Sequence, residues 1–370
     1  MKNFLYNQEV IKKMPKTKNI NVKSIKKIIK PKKVINKLPL SQKSSSKIVK
    51  WRETISNIIA KKDNRLLMII GPCSIHDYDM AIYYAKYLQS INDKYKDRIF
   101  IVMRVYFEKP RTTIGWKGLI NDPNLDGTYK INEGIHLARR LLLDVNNMDI
   151  PVGCEFLDVF SPQYYADLVS WGAIGARTTE CQLHRQLASG LSMPIGFKNG
   201  TNGNVDIAAD AIISASNPHV FLGINTSGTA SIVETTGNKD LHIILRGGKN
   251  TTNYDAKSIA DACKILISKN LNTSIMIDMS HGNSKKIHSN QIKVCKSLSE
   301  QISKGNRNIL GAMIESNIKS GNQKLINKNK LEWGVSITDA CIDISTTNKL
   351  LDQLYNSLSV RFRKRKRTDI

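Results

Sequence analysis

An α/β chain closed into a (β/α)8 TIM barrel is the fold this sequence predicts, on three observations. Eight short apolar runs punctuate the chain: LLMIIGP (66–72), FIVMRVY (100–106), PVGCEF (151–156), GAIGAR (172–177), MPIGFK (193–198), HIILRGG (242–248), SIMIDMS (274–280) and NILGAMIES (308–316). Helical periodicity separates several of them, as in Ala81, Tyr84, Ala85, Leu88 and Ile91, and again in Ile287, Cys295, Leu298 and Ile302. Continuous apolar strands alternating with helices mean a parallel sheet buried on both faces, and eight units over roughly 300 residues favour a closed barrel over an open sheet of five or six strands.

Residues 1–50 read as a basic extension serving oligomeric or regulatory contacts. In it Val22, Ile25, Ile28 and Ile29 predict one short amphipathic helix stopped by Pro31. The barrel is expected over 51–355. One segment interrupts its alternation: HVFLGINTSGTASIVETTGN (219–238) places two apolar runs around a Thr-Ser-Gly turn, which predicts an inserted β-hairpin. Residues 356–370 form a basic C-terminal tail, read as a solvated charge run.

Composition sets limits on function. With 41% hydrophobic and 24% charged residues, the 370-residue chain is a globular protein able to bury its own core. It offers no apolar stretch of about 18 residues for a membrane span, and its N-terminus has no secretory pattern, so a cytoplasmic location is expected. The net charge of +25 is concentrated at the ends: residues 1–50 carry +14 and residues 361–370 carry +5, leaving +6 between them. That distribution argues against a nucleic-acid surface on the body. The six cysteines are scattered without a C-x-x-C pair and read as reduced.

In a barrel the site forms where strands run out into the βα loops. Here those ends are polar. Arg104, Arg177, Lys198 and Arg246 close four different runs, and Lys109 and Arg111 follow the second. So many cations converging on one mouth require anionic, phosphorylated substrates, which forked guanidinium groups suit. A second constellation joins Cys73 after the first run, His281 after the seventh, Glu315 closing the eighth and Asp339 in the next loop. One thiolate, one imidazole and two carboxylates suit a single divalent Mn2+, Fe2+, Co2+ or Zn2+ better than Mg2+ or Ca2+. First and eighth strands are neighbours in a closed barrel, so the four can meet.

The strings GPCSIHD, VMRVYFEKPRTTIGWKGLINDP, CEFLD, WGAIGARTTE, PIGFKNGT, HIILRGGK, IDMSHGNS and SITDAC resemble the type I 3-deoxy-D-arabino-heptulosonate 7-phosphate (DAHP) synthases of the microbial feedback-regulated class, from about residue 20 to about 355. The resemblance implies a metal-dependent barrel that condenses phosphoenolpyruvate with erythrose 4-phosphate and water, the first step of the shikimate pathway to aromatic amino acids. It assigns the metal to Cys73, His281, Glu315 and Asp339. Phosphoenolpyruvate falls to Arg104, Lys109, Arg177, Lys198 and Arg246, with Glu155 and Ala176 beside its phosphate. Erythrose 4-phosphate falls to Lys109, Arg111 and Thr112, and Lys109 is the group placed to protonate the new alkoxide.

The resemblance also implies a homodimer or homotetramer and an aromatic amino-acid effector held near the hairpin by Asp158, Pro162, Gln163, Ser192, Phe221 and Gly223. Glycine at 223 leaves room for a phenolic hydroxyl, which favours tyrosine, whereas serine there goes with phenylalanine. Family members hold the effector's ammonium with N-terminal acids. This chain offers Lys18 and Asn19, which predicts weak or lost feedback. Two rivals remain: a related synthase using arabinose 5-phosphate, opposed by the Lys-Pro-Arg-Thr string, and a noncatalytic nucleic-acid-binding protein, opposed by the complete metal and phosphate sets.

Overall fold

The computed structural model describes residues 17–111 and 113–362. Eight parallel strands close a barrel: β1 (Leu66–Gly71), β2 (Ile99–Arg104), β3 (Val152–Glu155), β4 (Trp171–Ile174), β5 (Ile195–Lys198), β8 (Leu241–Leu245), β9 (Ile275–Asp278) and β10 (Ile309–Glu315). The intervening β6 (Val220–Ile224) and β7 (Ala230–Glu234) pair antiparallel as the expected hairpin. Seven of the eight predicted runs supply a strand nearly whole, and the run at 172–177 supplies the last three residues of β4. Closure comes from β1, whose Leu67–Gly71 pairs with Gly311–Glu315 of β10 on one side and whose Leu66–Ile70 pairs with Ile99–Met103 of β2 on the other.

Burial explains the runs. Every residue of β1 and β10 is buried, because helices cover the outer face while side chains fill the interior. The covering helices begin at side-chain caps: Asp77 accepts from the Met80 amide to start α3 (Tyr78–Tyr95), and Asp343 from the Thr346 amide to start α10 (Ile344–Ser357). Before them come α1 (Pro31–Lys37) and α2 (Gln42–Ile59). Between α3 and α10 lie α4 (Ile131–Asn147), the short α5 (Pro162–Tyr165), α6 (Gln182–Gly190), α7 (Asp206–Ala215), α8 (Ala256–Ser268) and α9 (Gln291–Ser303). The described chain closes with α11 (Ser359–Phe362). No helix among the described residues is long and apolar enough to cross a membrane.

The N-terminal helix expected before Pro31 does not form. Residues 22–30 take no regular structure, and Pro31 begins α1 instead of ending a helix. The reason is local: proline fixes φ and holds the preceding residue extended, so Lys30 sits at ψ 138° and Pro31 occupies a first turn where its missing N–H costs nothing. The strap is held by Tyr164 Oη donating to the Ile29 carbonyl and the Ile29 amide donating to Asn132 Oδ1. Two further adjustments follow. Helix α2 runs through residue 50, where the extension was expected to end, and Ile287 stands exposed ahead of α9. The C-terminal tail divides: α10 and α11 reach Phe362, and residues 363–370 lie outside the described residues.

Candidate active site

The carboxyl ends of the strands enclose a cavity of about 310 Å3 whose wall carries Lys109, Arg111, Arg177, Lys198, Arg246 and Lys286 against the carboxylates Glu155 and Asp339. Such an excess of cations on one concave surface suits an anion. Lys198 is positioned by its strand and the others by the loops that follow the strands. Lys198 ends β5 and is buried, 3.4 Å from Asp278 Oδ2. The Arg246 amide donates to Asn199 Oδ1, tying the ends of β8 and β5 together. Arg111 Nε donates to the Trp116 carbonyl, and the Lys109 amide to the Lys117 carbonyl, which folds the loop after β2 back over the barrel.

Beneath this wall Cys73, Glu315 and Asp339 each present one ligand atom, all within 4.8 Å of one another. His281 stands just outside that triad, with Nε2 3.7 Å from Glu315 Oε1 and Nδ1 2.8 Å from Asp278 Oδ2. Its backbone is left-handed, at φ 52°. Gly282 beside it passes so near the Gly248 carbonyl that a Cβ would lie 2.5 Å from the oxygen, so the loops bearing His281 and Arg246 pack backbone on backbone. A thiol, two carboxylates and an adjacent imidazole fit a single divalent transition ion.

The electrostatics are those of buried, mutually compensating charges. Burial and the neighbouring Glu315 push the Cys73 thiol up to about 11, opposed by Lys109, whose Nζ lies 3.1 Å from Sγ. Burial pushes Glu155 up as well, but Lys198, Lys109 and Arg104 outweigh it and hold the carboxyl below its ordinary range. Burial would discharge Lys109, yet Cys73 and the carboxylates Glu315 and Glu155 raise it, so it stays an ammonium.

Not every expected residue reaches the cavity. Arg104 does not line it. Wholly buried under the triad, it donates to the Pro72 and Cys73 carbonyls and to Glu315 Oε1 at 2.9 Å, and its guanidinium lies 3.6 Å from the Tyr106 ring centroid. Thr112 lies outside the described residues. Conversely, Asp278, Ser280 and Gln291 were missed by sequence reasoning. Asp278 faces both Lys198 and His281, Ser280 Oγ donates to Glu315 Oε2 at 2.7 Å, and Gln291 clamps the Glu315 backbone through both its amide and its carbonyl. Asp278 carried a signal, being the one charged residue in the run SIMIDMS.

The sequence profile described as the DAHP synthetase I family matches residues 37–352. The chain belongs to that family. It is 49% identical over 343 residues to the Phe-sensitive phospho-2-dehydro-3-deoxyheptonate aldolase of Escherichia coli K12, covering 93% of this chain and 98% of that protein. Identity is 52% over 332 residues with the tyrosine-inhibited enzyme of Schizosaccharomyces pombe, covering 89% of each. The solved aldolase of Francisella tularensis SCHU S4 superposes with a TM-score of 0.90 at 49% identity, over 93% of this chain and 100% of that one. A Thermotoga maritima enzyme at 17% identity and TM-score 0.54 shares the fold.

A second cavity of about 780 Å3 lies under the hairpin and carries Pro162, Gln163, Ser192, Phe221 and Gly223. Asp158 does not line it; its Oδ1 instead accepts from the Phe160 and Ser161 amides. Glu108 is buried, adjacent in sequence to Lys109 of the first cavity, and accepts at 3.1 Å from Ser161 Oγ, whose residue precedes Pro162 of the second. Burial and Asp158 push its carboxyl up to about 7. A carboxyl raised on folding contributes stability below its unfolded value near 4.5 that is lost as pH climbs through about 7. Glu108→Gln is therefore expected to match the parent near pH 4.5 and to exceed it by about 1–3 kcal/mol at pH 8, read from denaturation midpoints. A constant difference across that range would contradict this.

Proposed function

We propose that this cavity condenses phosphoenolpyruvate with D-erythrose 4-phosphate and water to give DAHP and inorganic phosphate. The observation that carries the reading is the coincidence of a six-cation wall with a Cys73–Glu315–Asp339 triad at the same barrel mouth. Two phosphorylated substrates match that wall, and an aldehyde acceptor needs the polarisation that such a triad can host.

Arg177, Lys198 and Arg246 hold the phosphate and carboxylate of phosphoenolpyruvate, with Glu155 fixing Lys198 through charge. Lys109 and Arg111 meet the sugar phosphate across the rim, where Pro110 keeps Lys109 extended. Fixing both substrates in one cleft brings C3 of the enol phosphate to the aldehyde carbon. Cys73, His281, Glu315 and Asp339 would hold a divalent ion, with Asp278 orienting the imidazole; when bound, that ion supplies Lewis-acid polarisation of the aldehyde. As the carbon–carbon bond forms, Lys109 gives its proton to the developing alkoxide. Water adds to the positive C2 and returns one proton to Lys109; the C2–O bond to phosphate then breaks, the second proton leaving with the phosphate and the C2 ketone remaining. The test is loss of the enol absorbance of phosphoenolpyruvate. Turnover is expected with erythrose 4-phosphate and not with arabinose 5-phosphate, and the reverse preference would overturn the reading.

The cavity under the hairpin fits an aromatic amino acid, with tyrosine favoured: a Cβ at Gly223 would lie 2.8 Å from Val233 Cγ2, so glycine keeps that wall open. Lys18 and Asn19 offer no counter-charge for the ammonium, and feedback is expected to be weak. Calorimetry should find no micromolar binding of tyrosine, phenylalanine or tryptophan; a micromolar Kd for any of them would refute this. A cytoplasmic homodimer or homotetramer completes the reading.

A further inference from the structure

The opposite end of the barrel carries a second concentration of positive charge that the reaction does not use. Below the N-terminal ends of β1 and β10, a small open pocket is lined by Lys61, Arg65, Arg307 and Arg361 around the apolar Ile58 and Leu310. Asp63 is the carboxylate of its wall, and it is taken by Arg65, which grips it at 2.6–3.2 Å through Nε and Nη2. Among the described residues no carboxylate pairs with Lys61, Arg307 or Arg361. Lys61 donates to Thr273 Oγ1 and Asn308 Oδ1, Arg307 to Asn64 Oδ1, and Arg361 to the Asn306 and Ile309 carbonyls. These neutral acceptors position the side chains and leave their charge uncompensated.

Two observations mark Arg361 within this cluster. Arg361 Nε is buried without a hydrogen-bond partner, a costly arrangement for a charged donor unless something accepts from it. Burial together with the facing Arg307 pushes the Arg361 guanidinium down to about 10, and burial with Arg307 and Arg361 also lowers Lys61. Like charges held this close repel in the absence of an anion. The pocket is shallow, about 20 Å3, so it can seat one or two oxygens of a tetrahedral anion resting at its mouth and does not enclose an organic ligand.

We infer that the basal pocket framed by Lys61, Arg307 and Arg361 is a binding site for a phosphate group, separate from the catalytic cavity. Its oxygens would accept from the Arg307 guanidinium and the Lys61 ammonium at the pocket mouth, as charge-assisted hydrogen bonds, with the charge of Arg361 behind them. By joining the loop before β1, the loop before β10 and α11, the bound anion would fasten the C-terminal helix to the barrel floor.

Equilibrium dialysis of the full-length protein with labelled inorganic phosphate, at saturating phosphoenolpyruvate, tests this. Arg307→Gln and Arg361→Gln are expected each to weaken one phosphate per chain on the order of tenfold while leaving phosphoenolpyruvate affinity unchanged. Arg361 also braces α11, so Arg307→Gln, at an exposed position, is the variant that decides if the other folds poorly. Equal phosphate stoichiometry and affinity in the parent and in Arg307→Gln would overturn the assignment. Competition by glycerol phosphate assigns the site to a phosphate group on a larger molecule; its failure to compete assigns the site to the free ion.

Discussion

Chelation of the purified protein is expected to abolish consumption of phosphoenolpyruvate with erythrose 4-phosphate, by on the order of 10^3-fold or more, and Mn2+ is expected to restore it. The physical ground is the triad. Cys73, Glu315 and Asp339 present ligand atoms within 4.8 Å of one another, on the first strand's exit, on β10 and on the following loop. Cys73→Ala removes the soft donor and leaves a carboxylate pair whose preference shifts toward hard cations. That variant should retain less than one transition ion per chain after desalting, and turnover should return only at Mn2+ concentrations on the order of tenfold or more above those that restore the parent. The control is Cys295→Ala: that thiol is buried in α9, outside the triad, and its loss should leave the metal content untouched. Full turnover by chelated protein would remove the metal from the proposal, and a parent-like metal content in Cys73→Ala would move the site elsewhere.

The barrel was legible because its evidence is repeated. Eight apolar runs of similar length, each closing on polar residues, leave little freedom in a parallel closed sheet. The hairpin was legible because it broke that rhythm. What failed was local and single. Val22, Ile25, Ile28 and Ile29 have helical spacing, but most of that strap is exposed and it gains its order from Tyr164 and Asn132, more than a hundred residues away. A spacing rule cannot weigh such a partner. That these cations and candidate ligands gather at one barrel mouth was legible, since the loops meet there whatever the details. Which way a strand-end side chain turns was not. Arg104 and Lys198 both end strands as cations, yet one goes beneath the triad and the other lines the cavity. Asp278 was passed over for the same reason, because its role depends on Lys198 and His281 converging from separate strands.

That inward turn makes Arg104 the residue whose loss should cost the fold most. Arg104 and Glu315 are both fully buried and 2.9 Å apart. Burial favours the protonated form of Glu315, but His281, Arg104 and Lys109 together hold it ionised, well below the usual carboxylate range. Arg104→Met deletes one of those three and leaves a carboxylate in the barrel centre with its solvation unreplaced. The expected cost is about 3–5 kcal/mol at neutral pH. Because Glu315 contributes stability only while ionised and paired, the deficit should shrink as pH falls and the orphaned carboxyl takes up a proton. The double variant Arg104→Met with Glu315→Gln separates the two possible origins. If the pair itself were the stabilising element, the double variant would be as unstable as the single one. If the cost is the unpaired charge, the double variant should recover most of the loss while remaining unable to bind metal. Denaturation midpoints of the three proteins at pH 7.5 distinguish these outcomes, and an Arg104→Met protein as stable as its parent would show that His281 and Lys109 alone suffice to hold the Glu315 charge.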